Sequence, residues 1–224
     1  MYLKMNFLYY NIFFGLSYYV LQTQLNIIPR FKKMSVSRKK YVVCNFVKSA
    51  ILCMLGLRSL PILLKVVLTF PQTPIFTNVS EIKNLGSIYT ALDSSSIFYN
   101  TKMSYTTLCH HIAVIIFYIF NLYDSYDKNS ICLLIMLYAI FSSFGFLVNF
   151  LLGLRFIYNI NKIYYKICFS FFLITSLINW IIQFTYYRYN NYDNNYIHMY
   201  IFLLVFIIYD DIILLRWLKN KSFN

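Results

Sequence analysis

Seven apolar runs divide the chain, separated by short polar segments. They cover Met5–Ile28, Tyr41–Phe70, Leu85–Asn100, Tyr105–Tyr123, Ile131–Tyr158, Ile167–Tyr187 and Tyr196–Leu218. A helix needs about 20 mostly apolar residues to cross the hydrocarbon of a bilayer. The pattern therefore predicts an all-α, polytopic membrane helix bundle of about seven transmembrane helices. The runs are not equivalent. Leu85–Asn100 is short and rich in hydroxyls, which predicts a helix sheltered inside the bundle. Met5–Ile28 carries Asn11, Gln22, Gln24 and Asn26, so part of it is expected to face protein. It is too long for a cleaved signal and has no small-residue cleavage pattern before Pro29, so it reads as a retained anchor. Tyr41–Phe70 is interrupted by Lys48, Arg58, Pro61 and Lys65. Pro61 predicts a kink or the end of the straight part. Lys48 lies close enough to its loop to snorkel back, whereas Arg58 calls for an internal partner. No repeat or linker is visible, and the organisation expected is an anchor helix over 1–31, a helical domain over 32–218 and a tail over 219–224.

Composition agrees with the pattern. Residues are 60% hydrophobic and 12% charged, against about 25% charged in a soluble domain. The net charge of +13 does not point to nucleic acid, because the positive residues gather in short loops between apolar runs. Segment 29–40 alone holds six Lys and Arg. If it is cytosolic, the Lys102 turn, segment 155–166 and the C-terminus are cytosolic too. Thirteen Lys and Arg then face the cytosol, and four the other side. This bias predicts a lumenal N-terminus and a cytosolic C-terminus. Asn78-Val-Ser80, a glycosylation pattern, would be lumenal, and Asn220-Lys-Ser222 cytosolic. The five cysteines lie in or beside apolar runs without paired spacing and read as buried thiols.

The candidate chemistry sits in a hairpin. Asp93 is nine residues before Lys102, and the His110-His111 pair follows it by eight and nine. At about 1.5 Å per residue, Asp93 and His111 both lie roughly 13 Å from the turn, so carboxylate and imidazoles can meet across it. Lys48, Asn149, Asp210 and Asp211 fall at similar depth on other spans. Ionisable residues within spans face a bundle interior or a wet cavity, which predicts a polar pocket open toward the cytosolic leaflet. A histidine there can act as general base with a carboxylate to orient it, or can take an acyl group itself. Competing readings remain for several residues: either histidine donating to a backbone carbonyl, Asp210-Asp211 pairing with Arg216, and Asn149 and Asn179 serving as interhelical hydrogen bonds. Three histidines, with His198 distant, are too few for a membrane di-iron cluster, so no metal is expected. No P-loop, nucleophile elbow or dinucleotide fingerprint is present.

Gly86, Tyr89-Thr90-Ala91, Asp93, Lys102, Thr106-Thr107 and His110-His111 together resemble the signature of the TLC-domain family, which includes the ceramide synthases. The resemblance spans roughly Lys32 to Leu218. It implies a six-to-seven-span bundle in the endoplasmic reticulum or a related endomembrane, with membrane lipid as partner. In ceramide synthases the matching histidine pair serves acyl transfer from acyl-CoA to a sphingoid base. That implies His110, His111 and Asp93 as catalytic residues and acyl-CoA as co-substrate, with no bound cofactor. Tyr89, Asn149, Asp210, Asp211 and Lys48 are then substrate-binding candidates. Where those enzymes carry a His-Asp in the next span, this chain has Ala139-Ile-Phe-Ser-Ser-Phe144, and it also lacks the acidic residue that many smaller family members carry near Ser142; overall it resembles more the small members tied to membrane lipid composition. A non-catalytic lipid-binding, sensing or trafficking protein is the alternative, and a homo-oligomer is open. A seven-span receptor fits less well, given the short loops and the lack of an extracellular cysteine pair.

Overall fold

A computed structural model describes residues 2–70, 72, 76, 78–100, 102–123, 126, 130–189 and 194–223. Among these residues every regular element is a helix: α1 (Tyr2–Leu25), α2 (Pro29–Lys32), α3 (Val36–Thr69), α4 (Val79–Tyr99), α5 (Tyr105–Tyr123), α6 (Cys132–Ser143), α7 (Phe146–Ile157), α8 (Lys162–Tyr189) and α9 (Asn194–Phe223). Most of the acidic turn expected from Asp124 and the loop over 190–193 lie outside the described residues.

Four stretches are long and apolar enough to cross a bilayer: Val36–Thr69, Tyr105–Tyr123, Cys132–Ile157 and Lys162–Tyr189. Large apolar side chains such as Leu57, Leu64, Leu68, Ile181, Phe184 and Phe202 point outward on the bundle, as they do where lipid replaces water. The chain is an integral membrane protein. The helices α1, α4 and α9 carry more polar residues, and they pack into the bundle instead of standing apart: α1 runs along α4, and α9 along α5 and α8.

The polar side chains of α1 and α4 satisfy one another. Tyr18 and Ser95 hydroxyls are 3.0 Å apart, Tyr10 OH and Asn6 Nδ2 both donate to Asn84 Oδ1, and Tyr99 OH donates to Gln22 Oε1 at 2.5 Å. Hydrogen bonding between helices of this kind removes the cost of bringing hydroxyls into an apolar layer. It explains why the hydroxyl-rich α4 is buried at Ser87, Thr90 and Ser94 to Ser96.

Several expectations are corrected. Of the two outcomes expected at Pro61 the end of the helix is excluded, since α3 runs through it to Thr69, a length of about 50 Å. Its first residue is Val36, so the helix begins inside the basic segment, behind the short turn of α2. Arg58 has no internal partner among the described residues and is exposed. It lies about 26 Å along α3 from Tyr41, where the apolar run begins, which is near the far edge of a layer about 30 Å thick and within reach of a snorkelling side chain. The run Ile131–Tyr158 is two helices. Phe144 and Gly145 donate to Phe141 and Ser142 carbonyls three residues back, which tightens and breaks the α-helical ladder. A Cβ at Gly145 would stand 3.0 Å from Ser142 O, a tight contact that glycine avoids.

Helices α3 and α7 approach closely at Gly153, where a Cβ would lie 3.1 Å from two carbons of the Phe46 ring. Gly153→Val adds two further methyl groups to that contact. The substitution is expected to cost about 1–3 kcal/mol, read as a lower unfolding midpoint in detergent. An unchanged midpoint would show that the two helices can separate freely.

Candidate functional site

The α4–α5 hairpin brings its two halves together at the expected depth. Asp93 is 1% exposed on α4, and its Oδ2 lies 3.1 Å from Nδ1 of His111 on α5. Its other oxygen lies 2.5 Å from Nζ of Lys48 on α3. Lys48 therefore turns inward and does not snorkel back toward its loop. A carboxylate this deep would be very costly alone, and an ammonium at contact distance is what makes it tolerable. One buried carboxylate is shared by a lysine and an imidazole from two different helices.

His110, one residue on, points into a second pair. Its Nδ1 lies 3.5 Å from Asp210 Oδ2 on α9, and Thr107 Oγ1 donates to Asp210 Oδ1 at 3.2 Å. Adjacent residues on a helix point about 100° apart, and here both directions are used, because α4 and α9 both pack along α5. The two rings meet edge to face with centroids 5.5 Å apart. Asp211 takes a third position, accepting from Tyr138 OH of α6 at 2.7 Å. Asp210 and Asp211 thus do not pair with Arg216, which is exposed. Three of the seven acidic residues of the chain are engaged in this way inside the bundle.

The two histidines differ in freedom. His111 is 3% exposed, and its Nε2 lies 3.4 Å from Ser96 Oγ, so both ring nitrogens have protein neighbours. No partner for Nε2 of His110 is found among the described residues, and its side chain is 12% exposed. His110 is the imidazole with a nitrogen left for a ligand.

Asp93 stands behind Lys48 and His111, which with His110, Asp210 and Asp211 line one cavity of about 510 Å³. It extends from Tyr89 and Tyr138 inside the bundle to Lys102, Met103 and Ser104 in the α4–α5 loop. Asn149 and Asn179 also line it. Asn149 Nδ2 donates within its own helix to Gly145 O at 3.0 Å, and so supports the α6–α7 break instead of bridging helices. Asn179 does join a bridging network: it accepts from Gln183, which donates to Leu134 O and accepts from Tyr200 OH. Past Tyr89 and Tyr138 lies a smaller, apolar cavity of about 60 Å³ between Leu55, Val114, Phe117 and Ile135.

One donor atom each from Asp93, His110 and His111 lies within 4.8 Å of the others, a set that could hold a metal ion. Lys48 already places a positive charge against that carboxylate, so a metal there would have to displace it or sit beside it. His198 is exposed on α9 and takes no part.

Sequence reasoning missed Tyr138, Ser96 and the aromatic surroundings of Arg155. Tyr138 lies in an unbroken apolar run with nothing to mark it. Ser96 is three residues after Asp93 and so on the same face of α4, a spacing that could have flagged it.

Comparison with protein-family models, with curated proteins and with solved structures finds no match.

Proposed function

We propose that this chain is a seven-span endomembrane protein of TLC type that acts on membrane lipid in a cavity reached from the cytosol. In its catalytic form it is an acyl-CoA-dependent acyltransferase of ceramide-synthase type, and His110 is the base. The observation that carries this reading is the convergence of Lys48–Asp93–His111 and His110–Asp210 on one cavity within an apolar bundle. Buried charges in a membrane layer are costly, and their use by a ligand is the usual reason for keeping them.

His110 Nε2 takes the proton from the acceptor amine as its nitrogen attacks the thioester carbon. The carbon–nitrogen bond forms, the carbon–sulfur bond breaks, and the imidazolium returns the proton to the leaving thiolate. Asp210 orients the ring through Nδ1 and stabilises its charged form, as Thr107 holds the carboxylate. His111, fixed by Asp93 and Ser96, supports the wall behind it. The apolar space beyond Tyr89 and Tyr138 has room for the end of a hydrocarbon chain only. The test is purified protein with acyl-CoA and candidate amine lipids, followed by release of free CoA.

A non-catalytic lipid-binding role in the same cavity is the second reading. It is favoured by α6, where Ser142 and Ser143 stand in a stretch without His or Asp, and Ser143 Oγ is spent on Ile140 O. Lipid analysis of a deletion strain separates the two: a catalyst with His110→Ala fails to restore the lipid profile, whereas a binding protein restores it.

The orientation has its own test. The segments bearing the thirteen Lys and Arg meet at one end of the bundle, where Arg30 donates to Asn159 and Lys166 lies over the Phe223 ring. Asn78 lies at the opposite end, exposed as the N-cap of α4. Expressed in cells, the chain is expected to carry a glycan that Asn78→Gln removes. Asn220→Gln is expected to change nothing, since in this orientation Asn220 faces the cytosol, away from the glycosylation machinery. A glycan that survives Asn78→Gln and disappears with Asn220→Gln reverses the orientation.

A further inference from the structure

We propose that Arg155 anchors a phosphate-binding site at the basic end of the cavity. The guanidinium lies against three aromatic rings, 4.4 Å from the Trp217 centroid, 4.8 Å from Phe156 and 5.8 Å from Tyr41. Its only hydrogen bond among the described residues runs from Nη2 to Tyr41 OH at 3.3 Å. Among the described residues its buried Nε has no partner, and no carboxylate lies within ion-pair distance of the guanidinium. An arginine presents five N–H donors in a planar fork, so most of this one's donors are unspent. Aromatic faces offset part of the charge but accept no hydrogen bond of comparable strength. A partly buried cation with no counter-anion is a group waiting for one.

Its place in the fold indicates what the anion belongs to. Arg155 lines the same cavity as the histidines, together with Lys102. Along α3, Tyr41 is seven residues before Lys48, and along α9, Trp217 is seven residues after Asp210. Each spacing is two helical turns, about 10 Å. Two independent helices therefore set the guanidinium about 10 Å toward the basic end from both histidine–aspartate pairs. That end has thirteen Lys and Arg and no Asp or Glu in its segments. A tetrahedral phosphate offers oxygens to the arginine fork, the Lys102 ammonium and the Tyr41 hydroxyl together. The phosphate can be that of a lipid headgroup or that of a coenzyme. This anchor rests on the cavity being a ligand site for lipid chemistry, and does not require that the histidines catalyse.

The chain has two tryptophans, and Trp217 is in contact with Arg155. Trp180 Nε1 makes no hydrogen bond among the described residues, so Trp180→Phe removes none of these and leaves Trp217 as the sole tryptophan reporter. The full chain with Trp180→Phe, in a phosphate-free maltoside detergent, is titrated with short-chain phosphatidic acid in one arm and adenosine 3′,5′-bisphosphate in the other. A saturable change in Trp217 emission is expected in one arm, which identifies the source of the phosphate. Arg155→Gln is expected to weaken it by about tenfold or more, and Arg155→Lys by less. His110→Ala, which removes the proposed base, is expected to leave it intact, so that loss of catalysis and loss of phosphate binding are read separately. The absence of a saturable change in both arms overturns the proposal. So does equal binding by Arg155→Gln with native elution, or by Arg155→Lys if the glutamine form does not fold.

Discussion

Replacing His110 with alanine is expected to lower acyl transfer by about 10²–10⁴-fold, the usual contribution of a positioned general base. The same variant is expected to unfold near the wild-type midpoint, because His110 lies at the cavity wall and its contact with Asp210, at 3.5 Å, is long. His111→Ala should behave differently. It opens a hole beside the Asp93–Lys48 pair and removes both contacts of a ring that is 3% exposed, so activity and midpoint fall together. Turnover measured as CoA release, with thermal unfolding of the same preparations, separates the two roles. Full turnover by His110→Ala would remove it as the base.

Asp93→Ala is expected to cost about 3–5 kcal/mol, the range for breaking one side of a buried ion pair. The cost arises from what remains: Lys48 keeps a charge with no partner in an apolar bundle, and His111 loses the group that fixes its ring. Lys48 is 18% exposed and can draw some water from the cavity, which places the effect toward the lower end. Adding Lys48→Met to Asp93→Ala should recover stability, because no uncompensated charge is left. Unfolding midpoints for the two singles and the double form a cycle. A double variant no more stable than Asp93→Ala would mean that the charge of Lys48 is not what makes the single substitution costly.

Much of this molecule is determined locally and so by sequence alone. Apolar runs of membrane length specify helices and embed them, because backbone groups in lipid must bond within their own segment. The hairpin spacing of Asp93 and His111 is local too: a short turn and a constant rise per residue carry both to one depth, and they meet at 3.1 Å. The breaks are less visible. Phe144–Gly145 splits one apolar run, and α3 passes through Pro61, since packing against neighbours outweighs the preferences of single residues.

Only the tertiary structure decided which partner each polar group takes. Depth along a helix follows from counting residues, but direction around its axis depends on which helices stand beside it. That is why Lys48 turns to Asp93, why Asp210 and Asp211 bind α5 and α6 instead of Arg216, and why Arg155 comes to rest on Trp217, 62 residues away. These contacts join segments far apart in the chain. They form because burying a polar group without a partner is costly, so each contact offsets part of that cost.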